Sequence, residues 1–291
     1  MVVRNIKTDF YRKICMNPKW IIEDFEPDNQ FDRLAQEVKR QGYECVILKY
    51  EPFQSGTFKQ YAPEDCVIVQ SSLQLASQLL REKKWVPNAW MNLKAYECSS
   101  YYAQLGKYLF NDVYAMLPRA EVTRRLKWIF DTFGKEDCVF VRPSSGFKTF
   151  TGQVFKLESF EKNWQWVIEF SEPDCLVVVS TPKIIKAEWR FIVKKDNVIT
   201  GSLYKRDGKR EYREICDEDK NAYELADLIA HSDFQPDPVY VVDVCQGADD
   251  QCYVLEVGSF SCAGLYGCNM EKIVTEVSKI ALKEWSEIFN V

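Results

Sequence analysis

The stretch from Val239 to Gly267, VYVVDVCQGADDQCYVLEVGSFSCAGLYG, limits the fold more than any other part of the chain. It reads as two strands, 239–245 and 252–258, rich in Val, Tyr and Cys and joined by a loop that contains Gly-Ala-Asp-Asp. Each strand carries one acid among apolar neighbours, Asp243 in the first and Glu256 in the second. With 246–251 as the loop, Asp243 is expected opposite Val254. Glu256, two residues on, then shares its face and lies diagonally within reach. Two carboxylates on an apolar face cost free energy unless a cation or a set of donors compensates them. Hard oxygen ligands on adjacent strands suit Mg²⁺, whose other ligands are commonly water and nucleotide phosphate. The alternative is a solvated outer face, since antiparallel sheets often meet water on one side. Spacing alone leaves both readings open, and the acids are expected to be exposed to a cleft in the first of them.

At 291 residues the chain has room for two domains, or for one large domain with sublobes. Its net charge of −5 argues against a nucleic-acid binder that relies on bulk charge. The eleven cysteines are odd in number, contain no Cys-x-x-Cys pair and sit mostly in apolar runs. They read as small buried hydrophobes of a reducing compartment, neither a disulfide framework nor a zinc site. The opening MVVRNIKTDFYRKIC has no apolar core of the kind a signal peptide needs, and no run approaches membrane-spanning length. A cytoplasmic protein is expected. His231 is the only histidine, placed at a helix end, which counts against Ser-His-Asp and Cys-His hydrolases.

In the first part of the chain, a strand at 19–24 precedes a segment over 28–41 with apolar residues at 31, 34, 35 and 38. Asp/Asn opens that segment and Gly42 closes it, the pattern of a capped amphipathic helix. Strands at 43–49 and 65–69 and a helix near 71–84 complete a small α/β lobe. No glycine-rich phosphate motif follows any of its strands. The aromatic segment 85–117 resists segmentation, apart from a helix over 99–110. Pro118 opens a further helix that ends at Gly134. Beyond it the sequence predicts strands at 138–143, 153–157, 174–180 and 184–195. A turn at Asp196-Asn197 leads into VITGSLYKR, and helices follow at 158–167 and 218–230, with another closing the chain. This half reads as a mostly antiparallel α+β lobe.

Several residues suit polyanion chemistry. Arg142 ends the strand VFVRP, and the loop SSGFKTFTG adds Lys148, hydroxyls at Ser144, Ser145, Thr149 and Thr151, and glycines at 146 and 152. Such a loop can close over phosphates, and it can equally be an exposed connection. Lys186, Glu188 and Arg190 alternate along one strand and share a face. Taken alone they are ordinary solvated alternation. Converging on the acidic hairpin, they would suit phosphoryl transfer.

In this order the pieces VRPSSGFKTFTG, VVVST, KAEWRFIV, VITGSLYKR and VDV…VLEVGS resemble the ATP-grasp fold. Arg142–Gly152 and Gly264–Tyr266 resemble the RPxSxxKxFTG and GLY motifs of the amidoligase-like branch, where an arginine replaces the usual phosphate-binding lysine. The resemblance covers roughly residues 100–290 by motif and the preceding part by architecture. It implies an α+β fold, with an N-terminal α/β pre-domain over 1–117 and an ATP-grasp domain of two sublobes over 118–291. It further implies that Arg142 and Lys148 hold ATP phosphates under the loop 144–152. Val178, Val179 and Ser180 would be the interlobe linker whose backbone meets adenine, and Glu188 would lie towards the nucleotide. Arg190 would face the transferred phosphate or acyl phosphate, and Asp243 and Glu256 would bind Mg²⁺. Family members usually carry Asn two residues after that glutamate. Here Gly258 stands there, followed by Ser259 as the substitute third ligand. The implied activity is ATP- and Mg²⁺-dependent joining of a carboxylate to an amine through an acyl phosphate. The substrate would be a small molecule, a peptide or a protein terminus, with no membrane or nucleic-acid partner. A phosphotransferase and an inactive nucleotide-binding module are the alternatives.

Overall fold

Three sheets, each built from a contiguous part of the chain, place the two acids at a junction. The structure, a computed structural model, describes residues 17–24, 29–49, 58, 61–147 and 149–289. The first sheet holds β1 (Lys19–Glu23), β2 (Glu44–Leu48), β3 (Cys66–Gln70) and β4 (Val86–Asn88), in the order β2-β1-β3-β4 and all parallel. Parallel pairs need crossovers. These are α1 (Gln30–Arg40) and α2 (Leu73–Glu82). The apolar stripe of α1 is Phe31, Leu34, Ala35 and Val38, the set its spacing predicts, and all four are buried. The expected cap is not made: Asn29 is left-handed and its side chain bonds no backbone group, while Asp28 lies outside the described residues. At the other end Gly42, with φ +81°, donates to Lys39 and stops the helix as expected.

After α3 (Cys98–Leu105) comes the second sheet: β5 (Tyr114–Pro118), β6 (Cys138–Pro143), β7 (Gln153–Lys156) and β8 (Leu176–Ser180). Its order is β5-β8-β6-β7, all antiparallel. Against it pack α4 (Arg119–Arg124), α5 (Leu126–Phe133) and α6 (Phe160–Phe170), around Val139, Val141, Phe155, Phe160 and Trp164. The strand β5 was not legible in the aromatic segment, and it corrects the domain limit. A cut at 117 falls inside this strand, so the boundary lies before residue 114.

The third sheet has the order β11-β10-β9-β12-β13, from β9 (Ile185–Lys194), β10 (Asn197–Arg206), β11 (Lys209–Glu214), β12 (Val239–Gly247) and β13 (Cys252–Ser259). One face is covered by α7 (Lys220–Ala230), in a core with Trp189, Phe191, Val193, Tyr240 and Val242. On the other face Ile192, Ile199, Val239 and Val241 join a core shared with Trp20 and Ile22 of the first sheet and with α8 (Met270–Phe289). The closing helix thus seals the first lobe to the last, and the Trp20 indole donates to its Ser278. Burying a large apolar side chain is worth about 1.5–3 kcal/mol, so this common core couples the two lobes strongly. The ten described cysteines are all free thiols, four of them buried. Among the described residues no helix is long and apolar enough to cross a membrane.

Candidate active site

The hairpin β12–β13 differs from its expected register in two compensating ways. Its ladder begins one residue nearer the turn, at Gln246 opposite Cys252, which places Val244 opposite Val254. Continued regularly, that pairing would turn Glu256 to the face away from Asp243. A bulge at Leu255 adds the missing residue, and Asp243 stands directly opposite Glu256 instead of Val254. The acids therefore share a face, although the spacing reached that result through the wrong partner.

Neither acid stands alone. β9 runs beside β12 with Arg190 in register with Asp243. The guanidinium Nε and Nη2 donate to Asp243 Oδ1 and Oδ2 at 2.8 and 2.7 Å, and Nη1 donates to the Gly264 carbonyl at 3.0 Å. Such a fork-to-fork pair is among the stronger charge-assisted contacts. Asp243 is 4% exposed and Arg190 8%, which corrects the expectation of acids open to a cleft. Burial works against the charge on Arg190, and the Asp243 carboxylate overrides it, holding the arginine pKa well above its ordinary value. Across the hairpin, Arg142 Nη2 donates to Glu256 Oε1 at 3.1 Å, while Nη1 reaches the Leu255 carbonyl at 3.4 Å. The Glu256 side chain keeps 22% exposure. Burial likewise opposes the Arg142 charge, with Tyr101 and Glu256 pushing its pKa upward.

The cavity beside these pairs measures about 80 Å³ and is lined by Arg190, Asp243, Glu256 and Gly258, with Leu73, Leu93 and Tyr96 opposite. That is room for several waters or a hydrated cation at its charged end. Among the described residues no group of three potential metal ligands occurs. Two facing carboxylates are still a hard donor set of the kind Mg²⁺ uses, with phosphate oxygens and water completing the shell.

The remaining expected site residues lie as follows. Glu188 shares the face of Arg190 and is engaged, accepting from Tyr204 Oη at 2.8 Å and pairing with Lys205 at 2.8 Å. Lys186, further along, pairs with Asp250 at 2.7 Å. Val178, Val179 and Ser180 are not a linker. They are residues of β8, paired with β5 on one side and β6 on the other, so their backbone groups serve the ladder. The segment that joins the second sheet to the third is 181–184. Ser259 lines the cavity, but its hydroxyl donates to the Trp90 carbonyl at 2.6 Å and accepts from Cys262 N at 3.2 Å. It closes the turn after β13, which speaks against the third-ligand role. Lys148 lies outside the described residues. His231 closes α7 at the surface.

Two groups have roles that the sequence does not mark. Tyr204 and Tyr266 stack at 4.8 Å, and the Arg190 guanidinium lies 4.9 Å from the Tyr266 ring, a cation–π contact. Gln30, the first residue of α1, accepts from the backbone N–H of Leu265 and Tyr266. A polar residue at the start of an amphipathic helix carries no sign that it will be buried. The loop it holds also meets β11 closely. A Cβ on Gly267 would stand 2.7 Å from the backbone N and C of Arg213, nearer than real contacts allow. Gly267→Ala is therefore expected to destabilise the chain by about 1–3 kcal/mol, read as a lower urea midpoint.

The same architecture recurs in known proteins. A model of an ATP-grasp domain family, the second family of its clade, matches residues 123–275, more than half of the sequence, and the chain belongs to that family. Among solved structures, D-cycloserine synthetase DcsG superposes with a TM-score of 0.58 at 13% identity, over 91% of this chain and 99% of that one. A RimK domain ATP-grasp protein from Sphaerobacter thermophilus gives 0.56 at 12% identity, over 92% and 98%. The ATP-grasp ligase PsnB complexed with a minimal precursor gives 0.55 at 14% identity, over 91% and 100%. At such identities the likeness is one of fold. No curated protein matches the sequence.

Proposed function

We propose that the chain is an ATP- and Mg²⁺-dependent ligase that joins a carboxylate to an amine. The observation that carries this reading is the directly opposed pair Asp243 and Glu256, each held by an arginine from a neighbouring strand, at the junction of all three sheets. In this reading Asp243 and Glu256 hold Mg²⁺, which neutralises phosphate charge when bound. Arg142, standing where the wider family has lysine, and Lys148 hold the ATP phosphates. Main-chain groups of 181–184 meet the base, and Glu188 lies towards the ribose. Arg190 faces the transferred phosphoryl group. The substrate carboxylate oxygen attacks the γ-phosphorus and ADP leaves. The amine nitrogen then attacks the acyl carbon, expels inorganic phosphate and loses a proton, giving the amide. The protein's share is orientation and charge neutralisation, which needs no histidine. PsnB, whose structures hold a precursor peptide, supports a peptide or amino-acid substrate by analogy of fold.

A second reading, nucleotide binding without turnover, is favoured by one observation: both Asp243 oxygens are taken by Arg190. Purified protein with ATP, Mg²⁺ and pooled amino acids and peptides separates the two. The ligase reading expects ADP release that requires both a carboxylate and an amine, with a product lighter by one water than the sum of its parts by mass spectrometry. ADP release with a hydroxyl acceptor alone would make it a phosphotransferase, and saturable ATP binding without ADP would make it a module.

A further inference from the structure

We propose that Tyr266 and Gln30 are positioning residues for Arg190, with the first lobe reaching into the site through Gln30 to keep the guanidinium in place when Asp243 releases it. The inference rests on the ligase reading for its purpose and on the contacts below for its substance. Arg190 is fixed from two sides. Asp243 takes Nε and Nη2, while Nη1 goes to the carbonyl of Gly264 and the guanidinium lies 4.9 Å from the Tyr266 ring centroid. Asp243 cannot give both oxygens to Arg190 and also ligate a cation. When the first set of bonds opens, the Gly264 carbonyl and the Tyr266 ring are what remain. Tyr204 stacks on that same ring and is itself anchored, since its hydroxyl donates to Glu188.

The loop that carries these two contacts is itself pinned from the first lobe. Gln30 is 1% exposed and its Oε1 accepts from two successive backbone N–H groups, those of Leu265 and Tyr266. Two adjacent amides converge on one oxygen when one residue turns left-handed, and Tyr266 does so with φ +47°. A tyrosine in that region is uncommon and is held there by its surroundings. Arg33, one turn along α1, donates to the Tyr266 carbonyl, and Gly267 N donates to Ser202 Oγ at 3.0 Å. A lobe whose strands carry no phosphate motif thus sets the orientation of an arginine in the third sheet.

The test follows hydrogen exchange at Arg190 Nε by NMR in the full chain, the signal being assigned by its loss in Arg190→Lys. With a non-hydrolysable ATP analogue and Mg²⁺ bound, Tyr266→Leu should exchange about tenfold faster than wild type, the loss of one cation–π contact. Tyr266→Phe, which keeps the ring, should match wild type, and Gln30→Ala should fall with Tyr266→Leu. Without nucleotide all four proteins should agree, because Asp243 then holds the group, a distinction that mere damage to the loop would not produce. In turnover with pooled amino acids, Tyr266→Leu should lower kcat about tenfold and leave KM for ATP unchanged. Equal exchange in Tyr266→Leu and wild type with the analogue bound would overturn the inference. Should the analogue not bind at all, the ligase reading fails instead. The same comparison in an Asp243→Asn background without nucleotide then decides the positioning role, upheld by faster exchange in Tyr266→Leu and refuted by none.

Discussion

Asp243→Asn is expected to abolish ADP release and to lower the melting temperature by on the order of 10 °C. The second half of that result follows from burial. Removing one partner of an enclosed ion pair leaves the other charge uncompensated, at a cost of about 3–5 kcal/mol. Arg190 is that partner, held on both carboxylate oxygens. A double variant, Asp243→Leu with Arg190→Met, discriminates between loss of chemistry and loss of structure. Replacing both charges by apolar groups of similar size should restore most of the melting temperature and none of the turnover. If the single variant melts like wild type, the pair is not buried in solution.

Glu256→Gln is expected to behave differently although the side chain faces the same cavity. Its contact with Arg142 is a single 3.1 Å bond, and about a fifth of the side chain meets solvent. A partly exposed pair contributes about 1 kcal/mol or less, so the melting temperature should move by only about 2–4 °C. Turnover should nevertheless fall by at least about 10²-fold, with the Mg²⁺ concentration needed for half-maximal rate raised. A titration of ADP release against Mg²⁺, beside a thermal melt, checks both halves. An unchanged Mg²⁺ requirement would remove Glu256 from the proposed metal shell.

How much of this was legible depended on whether a residue's neighbours were local. The stripe Phe31, Leu34, Ala35 and Val38 declares itself by period, and the strands of the second half by alternation. By contrast β11, Lys209–Glu214, has the sequence KREYRE and is largely exposed at a sheet edge, so no hydrophobic pattern marks it. The strand β5 was hidden because YAMLP sits among aromatics with no clear period. In the site, the four charged residues were picked out by type and position along their strands. Their pairing, Arg190 with Asp243 and Arg142 with Glu256, depends on which strands lie side by side, and sequence spacing does not carry that. The same holds for Gln30, whose burial is decided by a loop some 235 residues away.

The unpaired Leu255 bears on how related chains should be compared. An extra residue that the ladder absorbs in place leaves both carboxylates where they are, so the count between the two acids is free to differ by one among relatives. A chain one residue shorter there would simply run straight and present the same opposed acids. Alignments that insist on equal spacing would discard true equivalents, and the safer criterion is which residue the aspartate meets across the strands.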